Sequence, residues 1–186
     1  MRVLGISGSL RRGSLNSALL RAAAERLPAG AELVEFDRLR EVPPYDEDVE
    51  SEATPAVVEE LREAVRSSDA ILIATPEYNH SIPGQLKNAL DWVSRPAGKS
   101  ALNGKPAAAI GASTGMFGAV WAQAELRKVL GAMGGRVIET ELPLGHAKEL
   151  LIDDRLQLSP DQTEQLEEIL AELVAQAEIE AELVAA

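Results

Sequence analysis

The sequence predicts an open, doubly wound parallel α/β sheet with helices on both faces. Two observations carry this. Five short, mostly apolar runs alternate with five longer stretches whose apolar residues recur at helical spacing. The unusual chemistry then collects just after the first, third and fourth apolar runs. In such folds a ligand sits there, beyond the carboxyl ends of the strands at the switch point of their order.

The elements follow in order. Val3-Leu4-Gly5-Ile6 reads as a buried parallel strand. Leu15, Leu19, Ala22 and Ala23 mark one face of the first helix. Glu32 to Phe36 is the second strand. Asp37 to Glu52, acidic and interrupted by Pro43-Pro44, reads as a loop. Thr54 is placed as an N-cap, with Pro55 at the first position of a helix whose face is Val57, Leu61, Ala64 and Val65. Ala70 to Ala74 is the most apolar strand and is assigned to the sheet centre. The third helix begins near Pro83, with Leu86, Ala89, Leu90 and Val93 buried. Pro106 to Ala112 is strand four; its alanines have weak strand propensity, so context decides. The fourth helix runs from about Ala119 to Met133 and ends at Gly134-Gly135. Arg136-Val137-Ile138 is strand five, and Gly145 to Leu158 is a long excursion. Ser159-Pro160-Asp161-Gln162 forms a capping box with proline at N1, opening a fifth helix through Leu166, Ile169, Leu170, Leu173 and Val174. Residues after Gln176 either prolong it or fray.

The chain of 186 residues is expected to form one domain, residues 1–186. It has no cysteine, which removes disulfides, thiolate metal sites and cysteine nucleophiles and suits a reducing, cytoplasmic setting. No signal peptide or membrane span is expected. The formal charge of −12 speaks against non-specific nucleic-acid binding and against docking on anionic membranes. From Asp161 onward there are eight acidic residues and no basic one, the pattern of a solvated helix face.

The stretch Ser7-Gly8-Ser9-Leu10-Arg11-Arg12-Gly13-Ser14-Leu15-Asn16-Ser17 joins the first strand to the first helix. A Gly/Ser loop at a helix N-terminus suits an anion, because unpaired N–H groups and the positive end of the helix dipole meet there. Gly5, Gly8 and Gly13 have the wrong spacing for a dinucleotide fingerprint, and Ser14 stands where a Walker loop needs lysine. The next buried strand ends in Thr75-Pro76, with no aspartate to assist a magnesium ion. The stretch therefore reads as a cradle for one terminal phosphate monoester. The second loop, Thr75 to Gly84, is stiffened by Pro76 and Pro83. It offers Glu77, Asn79 and the aromatic face of Tyr78 to a flat ring with a polar edge. With aromatics only 3% of the chain, a tyrosine here is unlike a chance turn residue. In the third loop, Ser113-Thr114-Gly115-Met116-Phe117-Gly118, hydroxyls meet glycines that permit close backbone approach.

Gly8 to Asn16, Pro76 to Gly84 and Leu86-Lys87-Asn88-Ala89-Leu90-Asp91-Trp92 together resemble the NADPH-dependent FMN reductase family, which includes chromate and quinone reductases and some azoreductases. The resemblance runs through the fourth helix and includes Ser113 to Met116. It implies a flavodoxin-like sheet of order 2-1-3-4-5, non-covalent FMN, and NADPH or NADH as co-substrate. By that likeness Ser9, Arg11, Ser14, Asn16 and Ser17 hold the phosphate and ribityl end. Pro76, Glu77, Tyr78 and Asn79 line the ring, with Ser113 and Gly115 on its other side. It further implies ping-pong transfer of a hydride to flavin and then to a quinone, chromate, azo or flavin acceptor, with no catalytic side chain. A homodimer or homotetramer is expected, with the helices bearing Trp92 and Trp121 meeting a second subunit. Two other functions share these loops: an electron carrier working through a protein partner, and a phosphate-ligand sensor. His80, beside the second loop, is a conceivable proton donor, and His146 is a loop residue. Asp37 is a surface aspartate, no metal site is expected, and no residue visibly reads a 2′-phosphate.

Overall fold

The computed structural model describes residues 1–185, with side chains through residue 179. The main sheet contains β1 (Arg2–Ser7), β2 (Glu32–Glu35), β3 (Ala70–Thr75), β4 (Pro106–Ala112) and β5 (Arg136–Val137) in the order β2-β1-β3-β4-β5, all parallel. β3 is central, as its unbroken apolar run requires. The helices are α1 (Leu15–Ala24), α2 (Glu47–Glu52), α3 (Ala56–Arg66), α4 (Gly84–Val93), α5 (Val120–Ala132) and α6 (Pro160–Ala185).

Side chains alternate across a strand, so each strand serves two cores. Leu4, Ile6, Ile71, Ile73, Ala107 and Ala109 face the layer of α3, α4 and α5. Val3, Leu72, Ala74, Ala108 and Ile110 face α1 and α6 on the other side. The alanines of β4 let helices approach both faces closely. At Gly111 even a Cβ would lie 2.9 Å from the Gln123 amide and 3.0 Å from the Thr75 carbonyl.

Several elements depart from expectation. The segment 37–52 is not all loop: it holds a 3-10 helix (Leu39–Glu41) and α2. Asp46 caps α2 by accepting the Asp48 N–H at 2.9 Å, and Glu47 and Asp48 favour its positive end. α2 buries no residue, so it leaves no apolar period to read. The next helix starts at Ala56 with Pro55, not Thr54, as N-cap. Strand five is split: β5 is followed by β6 (Pro143–Leu144), which pairs with the far end of β4. The stretch between them is tied by Arg127 to Glu141 at 2.8 Å and by Gln123 Oε1, which accepts the Leu142 N–H at 3.0 Å. The excursion contains an antiparallel hairpin, β7 (Leu151–Ile152) and β8 (Arg155–Leu156).

Trp92 belongs to the core of its own chain, with no surface of its side chain exposed for a second subunit to touch. Its Nε1 donates to the Pro43 carbonyl at 2.8 Å, and the Tyr45 ring meets it edge-on at 4.9 Å. Trp121 is 41% exposed. The capping box holds: Ser159 Oγ accepts the Gln162 N–H and Gln162 Oε1 accepts the Ser159 N–H, at 3.2 and 3.0 Å. α6 continues past Gln176, and the acidic side chains at 180 and 182 lie outside the described residues. Among the described residues no helix is long and apolar enough to cross a membrane.

Candidate active site

The site is built where the loops after β1, β3 and β4 meet. Ser14 caps α1, its Oγ accepting the N–H groups of Asn16 and Ser17 at 3.1 and 3.3 Å. Among the described residues the N–H groups of Arg12, Gly13, Ser14 and Leu15 have no protein acceptor, the condition for an anion seat at a helix start. The loop is pinned at its root by the Gly8 N–H, which donates to the Ala74 carbonyl at 2.8 Å. A Cβ on Gly8 would lie 2.9 Å from Leu86.

Asn16 is committed to the fold. It is buried, its Nδ2 donates to the Ala112 carbonyl at 3.0 Å, and its Oδ1 accepts the Ala112 N–H at 2.9 Å. The amide thus closes the end of β4 like an extra strand residue and locks α1 to that end. It braces the cleft from within its wall, keeping a second N–H and a second lone pair beyond these two bonds.

In the second loop Tyr78 and Ser81 exchange both backbone hydrogen bonds, at 3.0 and 3.1 Å. Asn79 and His80 between them have φ of 53° and 61°, a tight hairpin turn with left-handed backbone at two non-glycine residues. That conformation is uncommon for such residues and persists where surrounding structure enforces it. The two Tyr78–Ser81 bonds close the turn, and Glu77 anchors its base. The Glu77 Oε2 accepts the N–H groups of Trp121 and Ala122, at 3.1 and 3.2 Å, so it caps α5. α5 needs this, because its own N-cap, Ala119, has no side-chain acceptor. The exposed His80 lies 3.6 Å from Glu77 and packs edge-on to Trp121 at 4.7 Å.

The third loop is locked from behind. Gly118, at φ 58°, passes so close to Pro143 that a Cβ would sit 2.2 Å from its carbonyl carbon, and a Cβ on Gly145 would sit 2.2 Å from the Met116 oxygen. The Ser113 Oγ accepts the Gly115 N–H at 3.1 Å, and the Gly115 carbonyl accepts the His146 N–H at 3.0 Å.

These loops enclose a cleft of about 270 Å³. Ser9, Arg11, Ser14, Asn16, Pro76, Glu77, Tyr78 and Ser113 all line it, together with Thr114 of the same third loop. Three expected residues are not in its wall. Ser17 lines the neighbouring cavity and donates to Ser7 Oγ at 3.0 Å. Asn79 sits at an exposed turn tip, and Gly115 is tied back as described. Glu35 lines that neighbouring cavity too. Burial raises its carboxyl pKa above the ordinary value; Arg21 opposes this and Asp37 adds to it.

A profile of the family described as NADPH-dependent FMN reductase matches residues 1–149. The chain belongs to the NADPH-dependent FMN reductase family. It is 51% identical over 130 residues to an NAD(P)H-dependent FMN reductase of Pseudomonas aeruginosa, covering 70% of this chain and 69% of that one. It is 41% identical over 131 residues to a quinone reductase of Escherichia coli, with coverage of 70% and 69%. The flavoenzyme NAD(P)H:(acceptor) oxidoreductase FerB of Paracoccus denitrificans superposes with a TM-score of 0.82 at 33% identity, covering 95% of this chain and 97% of that one. The sheet order is the flavodoxin-like one that the resemblance implied.

The cofactor of this FMN reductase family fits the residues present. One end of the cleft offers unpaired N–H groups, the Ser9 and Ser14 hydroxyls and the Arg11 guanidinium to a phosphate. The other end offers the flat walls of Pro76 and Tyr78 and the Ser113 and Thr114 hydroxyls to a ring. Among the described residues no group of three histidines or carboxylates is placed to hold a metal ion.

Proposed function

We propose that this chain is an NAD(P)H-dependent FMN oxidoreductase that passes electrons to a small acceptor of the quinone class. The supporting observation is the single cleft that joins a phosphate seat to a ring-sized slot. FMN, when bound, supplies the redox chemistry by accepting a hydride from the nicotinamide and releasing electrons to the acceptor. The residues supply placement. Arg11 and the α1 N-terminus hold the phosphate, Ser9 and Ser14 its oxygens and the adjoining chain, and Pro76 and Tyr78 the ring. Glu77 fixes the Pro76 loop against α5. Orientation of this kind is worth on the order of 7–11 kcal/mol of barrier, so no side-chain nucleophile is needed.

The acceptor class rests on the quinone reductase relatives. Chromate, azo compounds and free flavin share the requirement for an open ring face. The working unit is a homodimer or homotetramer. Met116, Phe117 and Trp121, all exposed beside the cleft, form the apolar surface that a second copy would cover. With a net charge of −12 the protein has no use for nucleic acid or an anionic membrane, and its place is the cytoplasm.

The test is anaerobic addition of NADPH to the FMN-loaded protein, followed by a quinone. Flavin absorbance that bleaches and then returns supports the proposal. Bound flavin that stays oxidised identifies an electron carrier, and a protein that takes up no flavin overturns the reading.

A further inference from the structure

A larger cavity, of about 520 Å³, lies on the other side of Tyr78 and Arg11 from the flavin cleft, sharing those two residues as its wall. Arg12 and Arg40 complete a set of three guanidiniums around it, with Pro83, Gly84 and Gln85 opposite. No acidic residue lines it.

The arginines arrive from two separate segments, and the placement of Arg40 is built. Gln85 Nε2 donates to the carbonyls of Leu39 and Val42, both at 2.8 Å, which clamps the 3-10 helix to α4. Arg40 then donates to the Leu10 carbonyl, tying that helix to the β1 loop. The neighbouring Arg38 shows the contrast, since it is paired with Glu41 and Glu60. Among the described residues Arg11, Arg12 and Arg40 have no carboxylate partner. In a protein of charge −12, three guanidiniums without a carboxylate partner concentrate positive potential here against the global trend, with Glu35 and Asp37 on the far side of the same arginines in the adjoining cavity. The first turn of α4, which has no side-chain cap, adds its dipole to the same wall.

Three guanidiniums match a terminal phosphate monoester, which is dianionic and presents three oxygens to bidentate donors. The diester phosphates of a pyrophosphate bridge carry one charge each and ask for less. Resting on the flavin reductase reading above, we propose that this cavity is a second anion site, which takes the 2′-phosphate of NADPH while its nicotinamide reaches the flavin past Tyr78. Arg12 and Arg40 are its specific ligands, and Arg11 is shared with the flavin cleft.

The experiment uses the FMN-loaded full chain, its Arg12→Ala and Arg40→Ala variants, and two readouts. Calorimetry measures binding of adenosine 2′,5′-bisphosphate against 5′-AMP; steady-state kinetics gives KM for NADPH against NADH. Each variant should weaken the bisphosphate and raise KM for NADPH by roughly tenfold or more, the loss of one charge-assisted contact. In Arg12→Ala, which keeps the backbone N–H of the flavin phosphate seat, affinity for 5′-AMP, KM for NADH and flavin content should stay as in the wild type. Arg12 is exposed and has no partner in the fold, so its variant is a probe that does not disturb folding. Equal losses for NADPH and NADH would move the contact to the pyrophosphate and overturn the proposal. So would unchanged values in both variants, or loss of FMN from Arg12→Ala. A wild type that binds the bisphosphate selectively yet is not reduced by NADPH would sink the reductase reading and leave the anion site standing.

Discussion

Glu77 Oε2 lies 3.1 Å from the backbone nitrogen of Trp121, making a residue of the flavin loop the cap of a helix forty-four positions later. One carboxylate thereby sets both the start of α5 and the shape of the loop that faces the ring. Replacing an N-cap acceptor by alanine typically costs about 1 kcal/mol, at most about 2. Glu77→Ala should lower Tm by a few degrees, on the order of 2–4 °C per kcal/mol at this size. It should also weaken FMN binding, because the Pro76 loop loses its anchor. Glu77→Gln keeps a carbonyl acceptor and should recover most of both. Differential scanning calorimetry with and without FMN checks this; an alanine variant as stable and as flavin-loaded as the wild type would sink it.

Arg11 tests the phosphate seat. Arg11→Ala removes one charge-assisted contact, worth roughly 1.5–3 kcal/mol. FMN should bind about tenfold or more weakly. Riboflavin, which lacks the phosphate, should be little affected. Fluorescence titration of the flavin-free protein with each ligand makes the comparison, and equal losses for both would place Arg11 away from the phosphate.

The two tryptophans should separate cleanly. Trp92 is a core residue, and Trp92→Ala should cost about 3–5 kcal/mol by urea denaturation, the range for deleting a buried aromatic. Trp121 packs edge-on with Phe117 at 4.9 Å on the exposed surface. Trp121→Glu should leave the urea midpoint of the isolated subunit near its original value and reduce the mass seen by light scattering to that of one chain. An unchanged mass would remove this face from the assembly.

Glu41 carries a pH prediction. Hydrogen bonding to Arg38 holds its carboxyl below the ordinary carboxylate range. A depressed folded-state pKa stabilises the fold above the unfolded value and loses that contribution as pH falls through the folded one. The 3-10 helix bearing Arg40 should therefore loosen on the acid side. Carboxyl NMR should show Glu41 titrating at lower pH than an exposed glutamate, and Glu41→Gln should abolish the acid-side change in amide protection at residues 39–42.

Most of the sheet was legible because its signals are local. Ala70 to Ala74 announces a central strand by composition, and Ser159 with Gln162 announces a helix start by spacing. The cleft was legible too, since the loop residues that make it lie together in three short stretches. What escaped has no local signal. α2 buries nothing, so no period marks it. Trp92 sits at the same helical spacing whether its neighbour is a second subunit or the loop at Pro43. Asn16 and Glu77 line the cleft, but that they also fasten Ala112 and Trp121, 96 and 44 positions away, leaves no mark in the local sequence. The joining of Arg40 to Arg11 and Arg12 likewise depends on Gln85 and the Leu10 carbonyl, contacts that exist only after folding.

The clasp between Asn16 and Ala112 also sets a timetable. During synthesis the segment from Gly8 to Asn16 emerges early, yet its fastening partner is 96 residues further along the chain. A nascent polypeptide shorter than that has the phosphate-binding residues but lacks this brace. A chain that ends before the fourth strand should therefore hold flavin less well than the whole protein, which the visible spectrum of such a truncation would show.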